Sequence, residues 1–190
     1  MRFASYVFTA IIVLASAPAF AQDWIEYVNT EQRFSINLPG EPTIEDTTII
    51  SQRGSPYPTR IFRVSDGASD YMVKVIDYGE AIVSDVRGSI AWEAWHYRMA
   101  ARDAGGEVTF DGYAQINRIE GHQLQITNSD QSKTYISIHL YNRRLYVLEA
   151  TSPEGAPRPM LFQVSLSMLN EDGERARFTI DADGQRIPDD

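Results

Sequence analysis

The chain has 190 residues, contains no cysteine and carries a formal net charge of −9 at pH 7. This acidic surplus argues against nucleic acid and anionic lipid as partners, because both bind basic surfaces. Without cysteine the chain has no disulfide, no thiolate metal site and no lipid-modified cysteine.

The first residues predict export. Arg2 precedes an apolar run at 6–15 (YVFTAIIVLA), and the small-residue segment that follows ends in AFA. This pattern is typical of a secretory signal peptide, with cleavage between Ala21 and Gln22. The apolar run is shorter than the roughly 20 residues of a membrane span, and no later run is long enough. We therefore expect a soluble periplasmic or secreted protein with no membrane span in the mature chain.

Five strands are predicted in the next part of the chain. Connections between them are short, which favours antiparallel neighbours. Pro39 and Pro42 end the second strand, because neither proline could lie inside a central ladder. The predicted strands cover residues 24–28, 32–38, 43–51, 59–65 and 70–78.

A helix is predicted over residues 84–104, where the apolar residues change to a helical period. Ser84 or Asp85 can cap its start, and the glycines at 105–106 can end it. One face of this helix carries five apolar residues that we expect to pack on a sheet: Val86, Ile90, Ala94, Tyr97 and Ala101.

More strands follow the helix, over 107–110, 113–119, 122–128, 134–141 and 144–151. The last two predict a hairpin around Asn142-Arg143, with Leu140 opposite Leu145. His139 then lies opposite Tyr146, and Ile138 opposite Val147. Because this hairpin is apolar on both faces, we expect a layer on each side of the sheet.

The end of the chain contains a loop, a short helix and a polar tail. Pro159 can occupy the first turn of a helix that runs to about Ser165. The tail, 171–190, has a possible edge strand at 175–180. The predicted organisation is therefore a signal peptide at 1–21, one α+β domain at 22–170 and the tail. The fold class is a mainly antiparallel sheet of about six to eight strands with one long helix and a short C-terminal helix packed on it.

Three segments resemble a known family. The stretch WIEYVNTEQRFSINLPGEP at 24–42 resembles the opening of exported bacterial domains with the PsbP/Mog1-like fold. The passage AARDAGGEVTFDGYAQINRIEGHQLQI is similar to their middle, and RLYVLEA with FQVSLSML resembles their last core strand and terminal helix. The resemblance spans most of 24–170. It implies an α+β sandwich and a non-enzymatic accessory or binding domain. The family's photosystem and nuclear-transport functions do not carry over, because none of their functional residues is matched.

The three histidines, His96, His122 and His139, do not predict a metal site. No two of them have the helical spacing of zinc ligands, and there is no HExxH motif. There is also no GxSxG nucleophile motif. We therefore expect no metal, no cofactor and no standard catalytic site. A hydrolase with a non-standard site stays open, and it requires a pocket with Ser or Asp within hydrogen-bond reach of one of these histidines. A structural envelope protein without a small ligand also stays open.

The aromatic side of the predicted helix is the strongest candidate binding site. Trp92, Trp95 and Met99 lie opposite the sheet-facing residues, with His96 beside them. Tryptophan is enriched at the anchor points of interfaces. The alternative is that residues 160–169 cover this side, and a helix that is apolar on two sides favours it. The predicted function is an exported accessory module that binds a periplasmic partner protein or a small molecule.

Overall fold

The computed structural model describes residues 24–50, 54–79, 86–180 and 186–188. The predicted signal peptide and its cleavage site at Ala21 and Gln22 lie outside these ranges. Within them, no helix has both the length and the apolar character that crossing a bilayer requires.

The described residues form twelve strands and two helices. The helices are α1 (Val86–Asp103) and α2 (Met160–Ser165). The strands are β1 (Ile25–Asn29), β2 (Phe34–Leu38), β3 (Thr43–Ile50), β4 (Pro56–Ser65), β5 (Asp70–Asp77), β6 (Glu107–Ile116), β7 (Ile119–Thr127), β8 (Lys133–Tyr141), β9 (Arg144–Ser152), β10 (Ser167–Met168), β11 (Phe178–Ile180) and β12 (Arg186–Pro188).

The main sheet has seven antiparallel strands in the order β3-β4-β5-β9-β8-β7-β6. The predicted hairpin forms its centre, and the predicted pairs Leu140–Leu145, His139–Tyr146 and Ile138–Val147 are confirmed. The turn residues Asn142 and Arg143 have φ of 45° and 66°. Two left-handed residues in a two-residue loop match the twist of the flanking strands, which fixes this register.

The prediction of one sheet is wrong for the first two strands. Strands β1 and β2 pair with β10 in a separate three-stranded sheet, which lies on one face of the main sheet. The hydroxyl of Tyr146 in β9 donates to the carbonyl oxygen of Gln32 at 3.0 Å and ties the two sheets together. Buried apolar side chains between the sheets form the sheet–sheet core: Phe34, Ile36, Leu38, Phe62, Tyr71, Val73, Val75, Ile119, Tyr146, Leu148, Ala150, Phe162, Leu166 and Met168.

Helix α1 covers the opposite face of the main sheet, so the prediction of a layer on each side is confirmed. Of the predicted sheet-facing residues, Ile90, Ala94 and Ala101 are buried against the sheet, and Tyr97 packs at the edge of the same cluster. The side chain of Val86 is not among those described. At 18 residues, α1 is of moderate length rather than long. Its partners in this helix–sheet core are Ile76, Leu124, Ile126, Ile136, Ile138, Leu140, Leu145 and Val147.

Strand β6 corrects the prediction of two strands at 107–110 and 113–119. It is continuous, with a bulge between Val108 and Phe110. A Cβ atom at Gly112 would lie 3.0 Å from the Phe110 ring. The break comes later, at the two-residue turn of Asn117 and Arg118, whose φ values are 48° and 63°.

Two other strands differ from prediction. Strand β4 begins at Pro56 rather than at residue 59, because Pro56 and Pro58 pair only with the edge strand β3. Its pairing with β5 begins at Thr59, so neither proline interrupts a central ladder. In the tail, β11 forms within the predicted edge strand, but it pairs with β12 and not with the main sheet.

Candidate functional site

The four residues singled out from the sequence lie on one side of α1, here called the aromatic face: Trp92, Trp95, His96 and Met99. The rings of Trp92 and Trp95 are stacked, with centroids 5.1 Å apart and an interplanar angle of 15°. The imidazole of His96 makes a T-shaped contact with each of the two indoles, with ring centroids 4.4 Å from Trp92 and 5.2 Å from Trp95. Its Nδ1 lies 3.1 Å from the carbonyl oxygen of Trp92. The helix backbone thus fixes the imidazole against the stack.

The aromatic face is open to solvent, so the prediction that residues 160–169 cover it is wrong. Trp95 is 44% exposed, His96 is exposed, and Trp92 and Met99 are half-buried. Helix α2 lies on the other side of the main sheet. Its Phe162 is buried in the sheet–sheet core, with its ring 5.3 Å from that of Tyr71. Because Phe162 packs there, the C-terminal segment lies on the face of the main sheet opposite α1.

Polar contacts on the sheet side of α1 fix the rotation of the helix. The ammonium of Lys74 on β5 pairs with the buried carboxylate of Glu93, and it lies 5.5 Å from the ring centroid of Tyr97. The Tyr97 hydroxyl donates to Glu149 on β9 at 2.8 Å. Burial raises the pKa of Tyr97 well above its ordinary value, so the phenol stays protonated as a donor. With these contacts on one side, the aromatic face is held pointing away from the sheet.

A second set of contacts joins α1 to β6 and β7. Arg98 donates to Asp111 at 2.7 Å, and Nε2 of His122 lies 2.5 Å from the other oxygen of Asp111. Burial opposes ionisation of Asp111, but the hydrogen bonds from Arg98 and His122 outweigh it and lower its pKa. Asp111 and His122 place a carboxylate beside an imidazole, as a hydrolase would require. Asp111 also binds Arg98 of α1, however, so this contact fits a role in anchoring the helix.

The third histidine lies inside the sheet–sheet layer. His139 is 1% exposed, and its Nδ1 has no hydrogen-bond partner among the described residues. Burial lowers the pKa of His139 to about 4, against opposing hydrogen bonds to the backbone of Glu120 and Ile119. The ring lies over Gly121 on β7, where a Cβ atom would come within 2.2 Å of Nδ1. This histidine is a neutral packing residue.

A groove of about 630 Å³ opens beside α1 at one end of β4, β5 and β9. Its lining includes three carboxylates, from Glu41, Asp70 and Glu149, and the guanidinium of Arg63. None of the lining residues is a histidine, so the pocket that the hydrolase alternative requires is not this one. Among the described residues, no three His, Asp or Glu side chains come together as a metal site.

The groove was not predicted from the sequence, because its residues come from separate strands. Arg63 pairs with Met72, and Met72 pairs with Glu149, so the three lie in one row across β4, β5 and β9. Each is an ordinary residue of its own strand. The only sequence signal was the charged residue at an otherwise apolar position of β9, Glu149 in RLYVLEA.

Comparison with known proteins finds similarity among solved structures only. No protein-family profile matches the sequence. No curated protein matches it either. Among solved structures, the chain is similar to the solution structure of cyanobacterial PsbP (CyanoP) from Synechocystis sp. PCC 6803. The two chains are 12% identical, with a TM-score of 0.48, over 75% of this chain and 87% of that one. At this identity and TM-score the similarity says nothing about function.

Proposed function

We propose that the protein is an exported accessory domain that binds a partner protein through the aromatic face of α1. The observation that carries the proposal is the stack of Trp92 and Trp95 on the side of the helix that points away from the sheet, where Trp95 is 44% exposed and Trp92 is half-buried. Large aromatic side chains at a surface mark interaction sites, because their apolar area is costly to leave in water.

The shape of the aromatic face favours a protein over a small molecule. Small-molecule sites are concave and bury most of the ligand, whereas the aromatic face is the outer surface of a helix. Tryptophan is among the residues that dominate binding energy at protein interfaces. A partner surface that covers both indoles would therefore gain the most from this contact.

The charge of the chain favours a basic partner. The net charge is −9, which attracts a cationic protein over a distance of about one Debye length. At short range the faces of the indole rings attract the guanidinium or ammonium groups of Arg and Lys. Arg98 on the same helix is paired with Asp111, so its charge is compensated. A partner that presents arginine or lysine side chains fits both features.

Export gives the first prediction. Protein recovered from the periplasm is expected to begin at Gln22, because the AFA segment before it fits the small-residue cleavage rule. The intact mass of the purified protein measures this. A species that retains residues 1–21 would overturn the proposal of export and leave the binding proposal in place.

The exposure of the aromatic face gives a prediction for stability. Trp95→Ala is expected to lower the free energy of unfolding by less than about 1 kcal/mol, because the ring is half in solvent and alanine favours the helix. Ile90→Ala, on the buried side of the same helix, is expected to cost about 2–5 kcal/mol. Urea unfolding of the two variants measures the difference. A cost for Trp95→Ala equal to that of Ile90→Ala would show that the indole is part of a core.

The binding proposal is tested by capture of partners from periplasmic extract. Tagged wild-type protein is expected to retain a basic protein that Trp92→Ala and Trp95→Ala both lose. Phe110→Ala is the matched control, because Phe110 is 49% exposed and lies on β6, outside the aromatic face. With the partner purified, its addition is expected to protect the tryptophan fluorescence from acrylamide quenching. A partner captured equally by all four proteins would contradict the proposal.

A further inference from the structure

We propose that the groove beside α1 is a second binding site, and that it takes a basic amino acid or a short peptide with a basic side chain. The site combines one cationic and three anionic side chains around an apolar floor. It lies on the sheet itself and does not involve the aromatic face, so it does not depend on the partner protein proposed above.

The floor of the groove is the part of the main sheet that α1 leaves open. Helix α1 packs on β6, β7 and β8, whereas the groove lies over β4, β5 and β9. Met72 is 8% exposed at the middle of the row that runs from Arg63 to Glu149. Neighbouring strands lie about 4.8 Å apart, so the Cα atoms of Arg63 and Glu149 are separated by about 10 Å. An aliphatic chain can therefore lie on Met72 with a charged group at each side.

The cationic side of the groove is Arg63. Its side chain is exposed, and within the described part of the chain no hydrogen bond or ion pair holds its guanidinium. An arginine fork binds a carboxylate through two parallel hydrogen bonds. Thr43 pairs with Arg63 across β3 and β4 and also lines the groove, and its hydroxyl donates to the carbonyl oxygen of Arg63 at 3.2 Å.

The anionic side of the groove is Glu149, with Asp70 and Glu41 nearby. The Tyr97 hydroxyl occupies one oxygen of Glu149, Oε2, which fixes the carboxylate and leaves Oε1 to accept from a ligand. With three carboxylates and one guanidinium, the groove carries an excess of negative charge. This excess disfavours phosphorylated ligands and favours a ligand with two amines and one carboxylate.

A basic amino acid has that set of charges. Its carboxylate suits Arg63, its two ammonium groups suit the carboxylates of the groove, and its methylene chain suits Met72. The volume of about 630 Å³ is large for a free amino acid and lies within the range of peptide-sized and drug-sized pockets. The groove therefore fits a basic residue that is free or at the end of a short peptide.

The test uses L-lysine and two analogues that each lack one charge. Cadaverine has no carboxylate, and 6-aminohexanoate has no α-amine. Isothermal titration of the purified protein is expected to show L-lysine binding more tightly than either analogue. Arg63→Gln is expected to weaken L-lysine about tenfold or more, since it removes a charge-assisted contact, and to leave cadaverine unchanged.

Two variants serve as controls. Arg102→Gln removes an exposed arginine from α1 that does not line the groove, and it is expected to bind L-lysine as the wild type does. Trp95→Ala is expected to keep L-lysine binding as well, which separates this site from the aromatic face. Absence of L-lysine binding to the wild type would overturn the proposal. An equal loss of L-lysine and cadaverine in Arg63→Gln would also overturn it.

Discussion

Gly121→Ala is expected to destabilise the fold by about 3 kcal/mol or more, because the added methyl group has no room. A Cβ atom at position 121 would lie 2.2 Å from Nδ1 of His139 and 2.5 Å from the carbonyl oxygen of Ile138. The imidazole is buried and the carbonyl belongs to the neighbouring strand β8, so neither can move aside without disturbing the sheet. Urea unfolding measures the loss.

Gly112→Ala is the matched control for this change. Gly112 is also inside an antiparallel strand, but the nearest atom to an added Cβ is Cζ of the Phe110 ring at 3.0 Å. Phe110 is half exposed and can rotate away, so we expect Gly112→Ala to cost less than about 1 kcal/mol. Equal costs at the two glycines would show that the close approach of His139 to Gly121 does not limit the fold.

Acidification is expected to remove roughly 3 kcal/mol of stability through His139 alone. Burial lowers the pKa of this histidine from 6.5 to about 4 in the folded protein. Between these values the unfolded chain binds a proton that the folded protein does not, so folding loses stability as the pH falls through this window. Asp66 and Asp111 also have a lowered pKa in the folded protein, but the ordinary pKa of an aspartate is already 3.8. Their contributions are therefore lost mainly below this window.

The contribution of His139 to stability is measured by comparing how the free energy of unfolding changes with pH in the wild type and in a variant without this histidine. The free energy of unfolding of the wild type is expected to fall between about pH 7 and about pH 4.5. His139→Gln cannot titrate there and is expected to show a much smaller fall, whatever its absolute stability. If the two proteins lose the same stability over this range, the titrating group is not His139.

Local sequence patterns predicted much of the fold, and the predictions that were wrong have a physical reason. The register of the β8–β9 hairpin followed from alternation and a two-residue loop, because both are local. The strands that pair with β2 did not follow from local patterns. Its alternation of Phe34, Ile36 and Leu38 shows a half-buried strand but not the sheet to which it belongs. That choice depends on contacts with β9 and β10, which lie more than a hundred residues away in the chain.

For the candidate sites, too, features set by local spacing were predicted and features set by distant contacts were not. Helical spacing predicted that Trp92, Trp95, His96 and Met99 lie on one side of α1, and the rings of Trp92, Trp95 and His96 pack together there. The cover expected from residues 160–169 was wrong, because Phe162 finds its apolar partner, Tyr71, on the far side of the sheet. The groove could not be predicted, since Arg63 and Glu149 meet only through the order of strands β4, β5 and β9.

One measurement tests the central claim most directly, which is that the aromatic face of α1 is a binding surface and not part of a core. A photo-crosslinking phenylalanine analogue is placed at position 95 in the exported protein, and in a second protein at position 110. Illumination of intact cells is expected to give a discrete adduct with a basic protein from position 95 and none from position 110. No adduct from position 95, or the same adducts from both positions, would contradict the claim.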